Sequence, residues 1–183
     1  MKLPFKILLF SESIILFAGA LLGPIYAIFV EEIGGDILDA SAAFAIFSIT
    51  SGFVVFLISR MEEKIKEQEL IVALGYVIIG LGYFGYLLIQ TPIHLFLVQA
   101  FIGVGIALYA PASDAMYSKY LDRSRAVSNW GVWEGMNRFT LGAGALAGGL
   151  IVSTLGFPIL FILMGTLCLA SALFVFLLPR RVL

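Results

Sequence analysis

Long apolar stretches separated by short polar connections dominate the sequence. A helix needs about 20 predominantly apolar residues to cross a bilayer, and six stretches of that kind are present. They cover residues 5–30, 38–59, 70–90, 93–119, 128–155 and 157–178. The pattern predicts an all-α membrane protein with six transmembrane helices in one domain, residues 1–183, and a charged cytoplasmic loop at 60–69.

Composition strengthens the membrane assignment and excludes several classes of function. The chain is 61% hydrophobic, whereas soluble domains lie near 45–50% apolar. Cys168 and His94 are the only cysteine and histidine, so no intrachain disulfide, thiolate cluster or multi-imidazole metal site is expected. No nucleophile–base pair and no basic stripe are found. The sequence therefore predicts neither an enzyme nor a nucleic-acid-binding protein, and it predicts no cofactor and no metal.

Basic residues are distributed unevenly among the connections. Ten of the eleven Lys and Arg residues fall at the two termini, after the second span and after the fourth. Cytoplasmic loops carry an excess of such residues, so both termini are expected in the cytoplasm. The membrane is expected to be a prokaryotic cell membrane. The first outer loop is acidic, and we consider two functions for it, attraction of cations and simple solvation; its acids are Glu31, Glu32, Asp36 and Asp39.

The two halves of the sequence share a feature that indicates an internal repeat. Pro24 stands 18 residues after Lys6, near the start of the first span, and Pro111 stands 18 residues after Ile93, the start of the fourth. These spans run in opposite directions, so three helices followed by three would form an inverted repeat. The third and sixth spans carry no internal charge, and we expect them to face lipid.

Four charged residues lie inside the predicted spans and away from their ends: Glu12, Asp114, Glu134 and Arg138. Each charge costs about 3 kcal/mol on insertion scales, so such residues normally face a cavity or a partner. We expect the three acids to share a water-filled cytoplasmic vestibule with Arg138. Glu134 is predicted to pair with Arg138 at i,i+4, which leaves Asp114 as the proposed proton-exchanging acid. The alternative is a structural ion-pair network that holds the helices together.

Other polar and small residues extend these faces along the same helices. A spacing of three and four residues places them in line with the acids, which predicts a substrate- or proton-binding set. Its further members are Tyr26, Gln99, Tyr117, Trp133 and Asn137. For Trp133 and its neighbour Trp130, an interfacial belt is the alternative to substrate stacking. Small residues one and two turns further on predict close helix packing and a dimer interface; they are Gly144, Gly148 and Gly149.

Three segments resemble motifs of the major facilitator superfamily in order and position. The loop at 59–68 keeps an acid and a base, Glu63 and Lys64, where the family reads Gly-x-x-x-Asp-Arg-x-Gly-Arg-Arg. The segment at 99–105 has Gln99 in place of the arginine of Arg-x-x-x-Gly-x-Gly. The segment at 144–149 has Ala145 in place of the proline of Gly-Pro-x-x-Gly-Gly. In these segments the chain resembles one six-helix half of such a transporter.

The resemblance implies a bundle of two inverted three-helix repeats with helices 1, 2, 4 and 5 around a cavity. It assigns Glu63 and Lys64 to a gating loop. It also implies secondary active transport of a small solute by alternating access, and we expect a homodimer of such halves about an axis normal to the membrane. The alternative is an isolated half, a fragment or membrane interaction partner, without transport activity of its own. The sequence does not name the substrate.

Overall fold

The computed structural model describes residues 3–62, 65, 67–121 and 123–178. Within those residues the chain is helical and has no strand. Six helical stretches are long and apolar enough to cross a membrane: Phe5–Glu32, Ile37–Ser59, Gln68–Leu88, Pro92–Lys119, Ala126–Leu155 and Phe157–Leu177. The six predicted spans are confirmed, and their boundaries differ from the prediction by only a few residues.

The first span is broken into two helices. Helix α1 (Leu3–Leu22) is followed by a 3-10 turn at Gly23–Ile25 and then by α2 (Tyr26–Glu32). Pro24 lies in this turn, where its missing N–H and its ring are incompatible with a regular helix interior. Pro111 instead lies inside the continuous helix α5 (Pro92–Tyr120). The two prolines that suggested the repeat therefore have different structural effects.

The repeat is visible in the packing of the spans. The second span is α3 (Ile37–Glu62), and the third is α4 (Gln68–Gly85), which ends in a 3-10 turn at Tyr86–Leu88. The fourth span is α5, the fifth is α6 (Ala126–Leu155) and the sixth is α7 (Phe157–Leu177). Helix α1 packs on α6 as α3 packs on α5, and α4 meets α5 as α7 meets α1. Exchanging the first three spans with the last three interconverts these contacts. The architecture is the predicted pair of inverted three-helix repeats.

Glycines allow the equivalent helix pairs to approach closely. A Cβ at Gly103 of α5 would lie 2.7 Å from the carbonyl oxygen of Phe47 in α3. On the symmetry-related side, a Cβ at Gly144 of α6 would lie 2.6 Å from the Cβ of Ala20 in α1. One at Gly148 would overlap the carbonyl oxygen of Leu21. Backbone-to-backbone packing of this kind is typical of helices in membranes.

The packing of Gly144 and Gly148 corrects the interface expected from the sequence. Both residues are buried against α1 of the same chain, so they are not available to a second copy. Gly149 is different, because a Cβ there would meet nothing within 4 Å. Of the three glycines in the predicted motif, Gly144 and Gly148 thus form a contact within the chain, and Gly149 lies on an open surface.

The six spans differ in how much of each is buried within the bundle. About half of the third span and 44% of the sixth are buried, against 6% of the second and 11% of the fifth. The third and sixth spans keep exposed apolar side chains such as Leu74 and Leu173 on one side only. The expectation that they face lipid holds for that side alone, because their other sides pack into the bundle. The open faces of the protein belong to α3 and α6.

The connections show how individual residues end and begin helices. Asp36 accepts hydrogen bonds from the backbone N–H groups of Leu38 and Asp39, and the Asp39 carboxylate accepts one from the Asp36 N–H. This reciprocal cap fixes the start of α3, so two of the four outer acids have a structural function. Glu63 and Lys64, the predicted gating pair, lie outside the described residues, and that assignment stays a prediction.

Candidate functional site

A hydrogen bond joins the N-terminal halves of α1 and α6. The indole N–H of Trp133 donates to a carboxylate oxygen of Glu12 at 3.0 Å. Both residues are half-buried. The bond connects the first and fifth spans, which belong to different repeats. Glu12 is therefore held by a neutral donor inside the bundle and does not simply extend to the cytoplasmic surface.

Aromatic rings surround this bond. The buried ring of Tyr117 lies 4.3 Å from Phe5, 5.6 Å from Trp130 and 6.1 Å from Trp133, measured between ring centroids. The two indole rings are 5.5 Å apart and nearly perpendicular, a favourable edge-to-face arrangement. The two tryptophans thus pack against Tyr117. The Tyr117 hydroxyl is buried and has no hydrogen-bond partner among the described residues.

Asp114 stands beside Glu12 on the exposed side of α5. It is close enough for the two carboxylate charges to interact. Neither acid forms an ion pair with any residue in the described ranges. The structure therefore brings together two of the three acids that were expected to share a vestibule, and no described residue supplies them with a cation.

Glu134 and Arg138 form the predicted i,i+4 ion pair, with 3.2 Å between Arg138 Nη2 and Glu134 Oε2. Their side chains are 52% and 76% exposed, although both lie within a membrane span. Asn137, between them in sequence, is turned toward the bundle and buried, and its Oδ1 has no partner in the described part of the chain. The ion pair thus faces outward from this chain while Asn137 faces inward.

The exposed side of α6 that carries the ion pair also carries several small residues, next to the exposed Val127 and Leu146. At 3.6 residues per turn, four glycines project to this side. A Cβ on any of them would meet nothing within 4 Å; they are Gly131, Gly135, Gly142 and Gly149. Another helix can therefore approach this surface closely, and no helix of this chain does so.

Tyr26 and Gln99 lie at the opposite end of the bundle. The Gln99 side-chain amide donates to the Tyr26 hydroxyl at 2.8 Å. Both line a pocket of about 230 Å³ that also includes Phe44, Phe47, Tyr83 and Tyr86. At about 1.5 Å per helical residue, this pair is roughly 20 Å from Glu12 along α1. The predicted binding set is thus two separate groups at opposite ends of the bundle, one that contains the charged residues and one that is neutral.

Sequence reasoning missed the aromatic walls of both groups. Phe44 and Phe47, and likewise Tyr83 and Tyr86, are spaced i,i+3 on one side of their helices. That spacing was a usable signal for a shared face. Phe5 gave no such signal, because a phenylalanine near the start of an apolar span is ordinary.

The bundle has six membrane spans arranged as inverted repeats, and one of its exposed faces carries ionisable residues. These features are typical of a polytopic membrane protein that is built like half of a transporter. The sequence comparison agrees with the architecture. The chain belongs to the Major Facilitator Superfamily, whose family pattern matches residues 8–182. The resemblance noted at the three motifs is thereby confirmed, and membrane transport is the function of this class.

A curated relative gives a more specific likeness. The chain is 24% identical over 130 residues to the proton-coupled antiporter flippase LtaA of Staphylococcus haemolyticus strain JCSC1435. The aligned part is 70% of this chain and 32% of the relative. The chain therefore matches about a third of the relative's length.

Proposed function

We propose that the chain is one six-helix half of a secondary active transporter of a small solute, working by alternating access as a homodimer. The observation that carries the proposal is the Glu134–Arg138 pair, exposed on a membrane-spanning helix. Charges in that position are too costly to face lipid. A water-filled cavity between two halves is the environment that accommodates them.

A second copy can supply the missing half. An even number of spans places both termini on one side, so two chains inserted alike can meet about an axis normal to the membrane, the commonest closed symmetry. The surfaces available for this contact are the least buried spans, α3 and α6. In this arrangement the glycine side of α6, with Gly142 and Gly149, packs against α3 of the other copy. Gly144 and Gly148 are no part of that interface.

Proton coupling is the second element of the proposal, and we assign it to Glu12 together with Asp114. Two neighbouring acids without a paired cation are suited to take up and release a proton as a unit. The titratable groups near Glu12 are Asp114, Tyr109 and Tyr117 from α5 and Tyr76 from α4, while α6 supplies the neutral Trp133. Asp114 alone, the sequence-based choice, is the more exposed of the two acids. The name of the relative, a proton-coupled antiporter, supports coupling to protons.

Reconstituted liposomes that contain a pH-sensitive dye test the function. Gradients of a panel of solutes of different charge are applied, and internal pH is followed. We expect at least one class of solute to drive proton movement through the wild-type protein and none to do so through empty liposomes. Folded, dimeric protein that moves neither protons nor solutes across the panel would argue against transport.

An isolated half without transport activity is the second candidate. It is favoured by the length of the aligned region, about a third of the relative, because a different six-helix unit can occupy the open faces of α3 and α6. Co-purification of one copy of this chain with another membrane polypeptide, together with inert liposomes, is the result expected for this candidate.

Labelling from either side of the membrane tests the proposed orientation. Cys168 is buried in α7, and Cys168→Ser gives a cysteine-free background. Glu32→Cys is preferred to a substitution at Asp36, because Asp36 caps α3. We expect an impermeant maleimide to label Glu32→Cys from outside and Glu67→Cys only after the membrane is opened. The reverse labelling would contradict cytoplasmic termini.

A further inference from the structure

The outer pocket is formed by residues from five spans. Its walls combine aromatic rings with aliphatic side chains, among them Leu22, Phe47, Tyr83, Ile102 and Met164. Gly19 and Gly23 contribute no side chain, which leaves the space open on the α1 side. The volume of about 230 Å³ is below the roughly 300–1,000 Å³ of sites for drug-sized ligands. The pocket is therefore suited to a small molecule or to one part of a larger one.

A hydrogen-bond donor with a fixed position lies on the pocket wall. Gln99 is 8% exposed, and its amide N–H donates to the Tyr26 hydroxyl. A tyrosine hydroxyl that accepts a hydrogen bond still has its own proton to donate. Among the described residues, nothing receives that proton. The Gln99 contact fixes the hydroxyl, so the free donor is held in place at the pocket.

The pocket contains no charge. None of its lining residues is Asp, Glu, Lys, Arg or His, and the family motif that begins at residue 99 has glutamine here in place of arginine. A charged ligand would lose its hydration without gaining a counter-ion. These conditions select a neutral ligand with an apolar body and an acceptor for the Tyr26 proton.

We propose that this pocket is a binding site for a neutral, mostly apolar molecule that carries a hydrogen-bond acceptor such as a carbonyl oxygen. The site is separate from the inner acids and binds its ligand whether or not those acids exchange protons. A membrane lipid offers this chemistry at an acyl ester, and a dissolved aromatic ketone offers it as a free solute.

Benzophenone is a suitable probe, because it has two phenyl rings, one carbonyl acceptor and a light-induced reaction with nearby C–H bonds. The purified full chain in detergent is irradiated over a range of benzophenone concentrations, and labelled peptides are identified by mass spectrometry. We expect saturable labelling at pocket residues, Met164 and Phe47 above all. Added diacyl lipid that abolishes the labelling identifies a lipid ester as the occupant; competition by unlabelled acetophenone but not by lipid identifies a solute.

Two variants separate specific binding from partition into apolar surfaces. Tyr26→Phe removes the donor and keeps the ring, and half-saturation is expected at a roughly three- to tenfold higher concentration, the value of one neutral hydrogen bond. Gly19→Leu places a side chain across the pocket, beside the Tyr83 hydroxyl, and is expected to abolish labelling. Tyr109→Phe, whose hydroxyl is outside the pocket, is the matched control and should leave the labelling unchanged.

A purely apolar groove between α4 and α7 provides the comparison surface. It is lined by Leu74, Leu169, Phe176 and similar residues, and it has a larger volume of about 440 Å³. Labelling that is equal in this groove and in the pocket, or that is unchanged in both Tyr26→Phe and Gly19→Leu, would overturn the proposal. Unchanged circular dichroism of each variant shows that a lost label is not a lost fold.

Discussion

Gly148→Leu is expected to prevent folding of the bundle, whereas Gly149→Leu is expected to fold and to lose only its partner. A Cβ at position 148 would overlap the backbone carbonyl oxygen of Leu21, and a backbone cannot turn aside as a side chain can. Overpacking costs about 1–3 kcal/mol and sometimes more, and we expect Gly148→Leu at or above that range. At position 149 the space is empty within this chain.

Size-exclusion profiles and thermal unfolding of the two purified variants check this prediction. Ala143→Leu is the matched control, because it adds the same side chain to a different exposed side of α6; it should remain both folded and dimeric. A Gly148→Leu protein as stable as the wild type would contradict the internal packing. A Gly149→Leu protein that remains fully dimeric would remove the glycine side of α6 from the proposed interface.

A disulfide cross-link gives this interface a positive test. Ala45 is exposed near the outer end of α3, and Gly149 is open near the outer end of α6. In the Cys168→Ser background, Ala45→Cys combined with Gly149→Cys is expected to form covalent dimers on oxidation. Either cysteine alone should give far less.

Glu12→Gln is expected to reduce proton-coupled flux to the level of empty liposomes, the second large effect. The substitution keeps the size of the side chain and a partner for the Trp133 N–H, but it removes the group that binds the proton. Asp114→Asn is expected to slow flux and change its pH dependence without abolishing it, because Glu12 remains. Internal pH of reconstituted liposomes, followed at several external pH values, measures both.

Glu134→Gln is the matched control for this experiment. It makes the same chemical change on α6, at the residue that follows Trp133 and is already paired with Arg138, and proton coupling should survive it. Normal flux and a normal pH profile in Glu12→Gln would contradict the assignment. If Asp114→Asn loses proton coupling while Glu12→Gln keeps a normal flux, Asp114 is the acid that exchanges the proton.

The six spans and their boundaries could be read from the sequence because the bilayer sets a minimum length of apolar helix. The faces of the helices were harder to assign. Gly148 and Gly149 are adjacent, so their sides differ by about 100° on a helix, and nothing in the sequence shows which side meets α1. The sequence therefore predicts an interface at Gly144, Gly148 and Gly149 together, while the structure buries Gly144 and Gly148 within the chain.

Contacts between distant residues were the other limit. Glu12 and Trp133 are separated by 121 positions, and their hydrogen bond depends on the relative rotation of α1 and α6. Without that contact, Asp114 appeared to be the unpaired acid of interest. Tyr26 and Gln99 were both singled out on their own helices, but only the packing shows that they bond to each other in a pocket far from the acids.

The number of copies in the native complex tests the central claim most directly. Mass spectrometry of the complex, extracted into lipid nanodiscs without detergent exchange, counts the chains. The account predicts two copies of the 19.9 kDa chain, with no second membrane polypeptide. A single copy, or one copy bound to a different polypeptide, would contradict the homodimeric transporter.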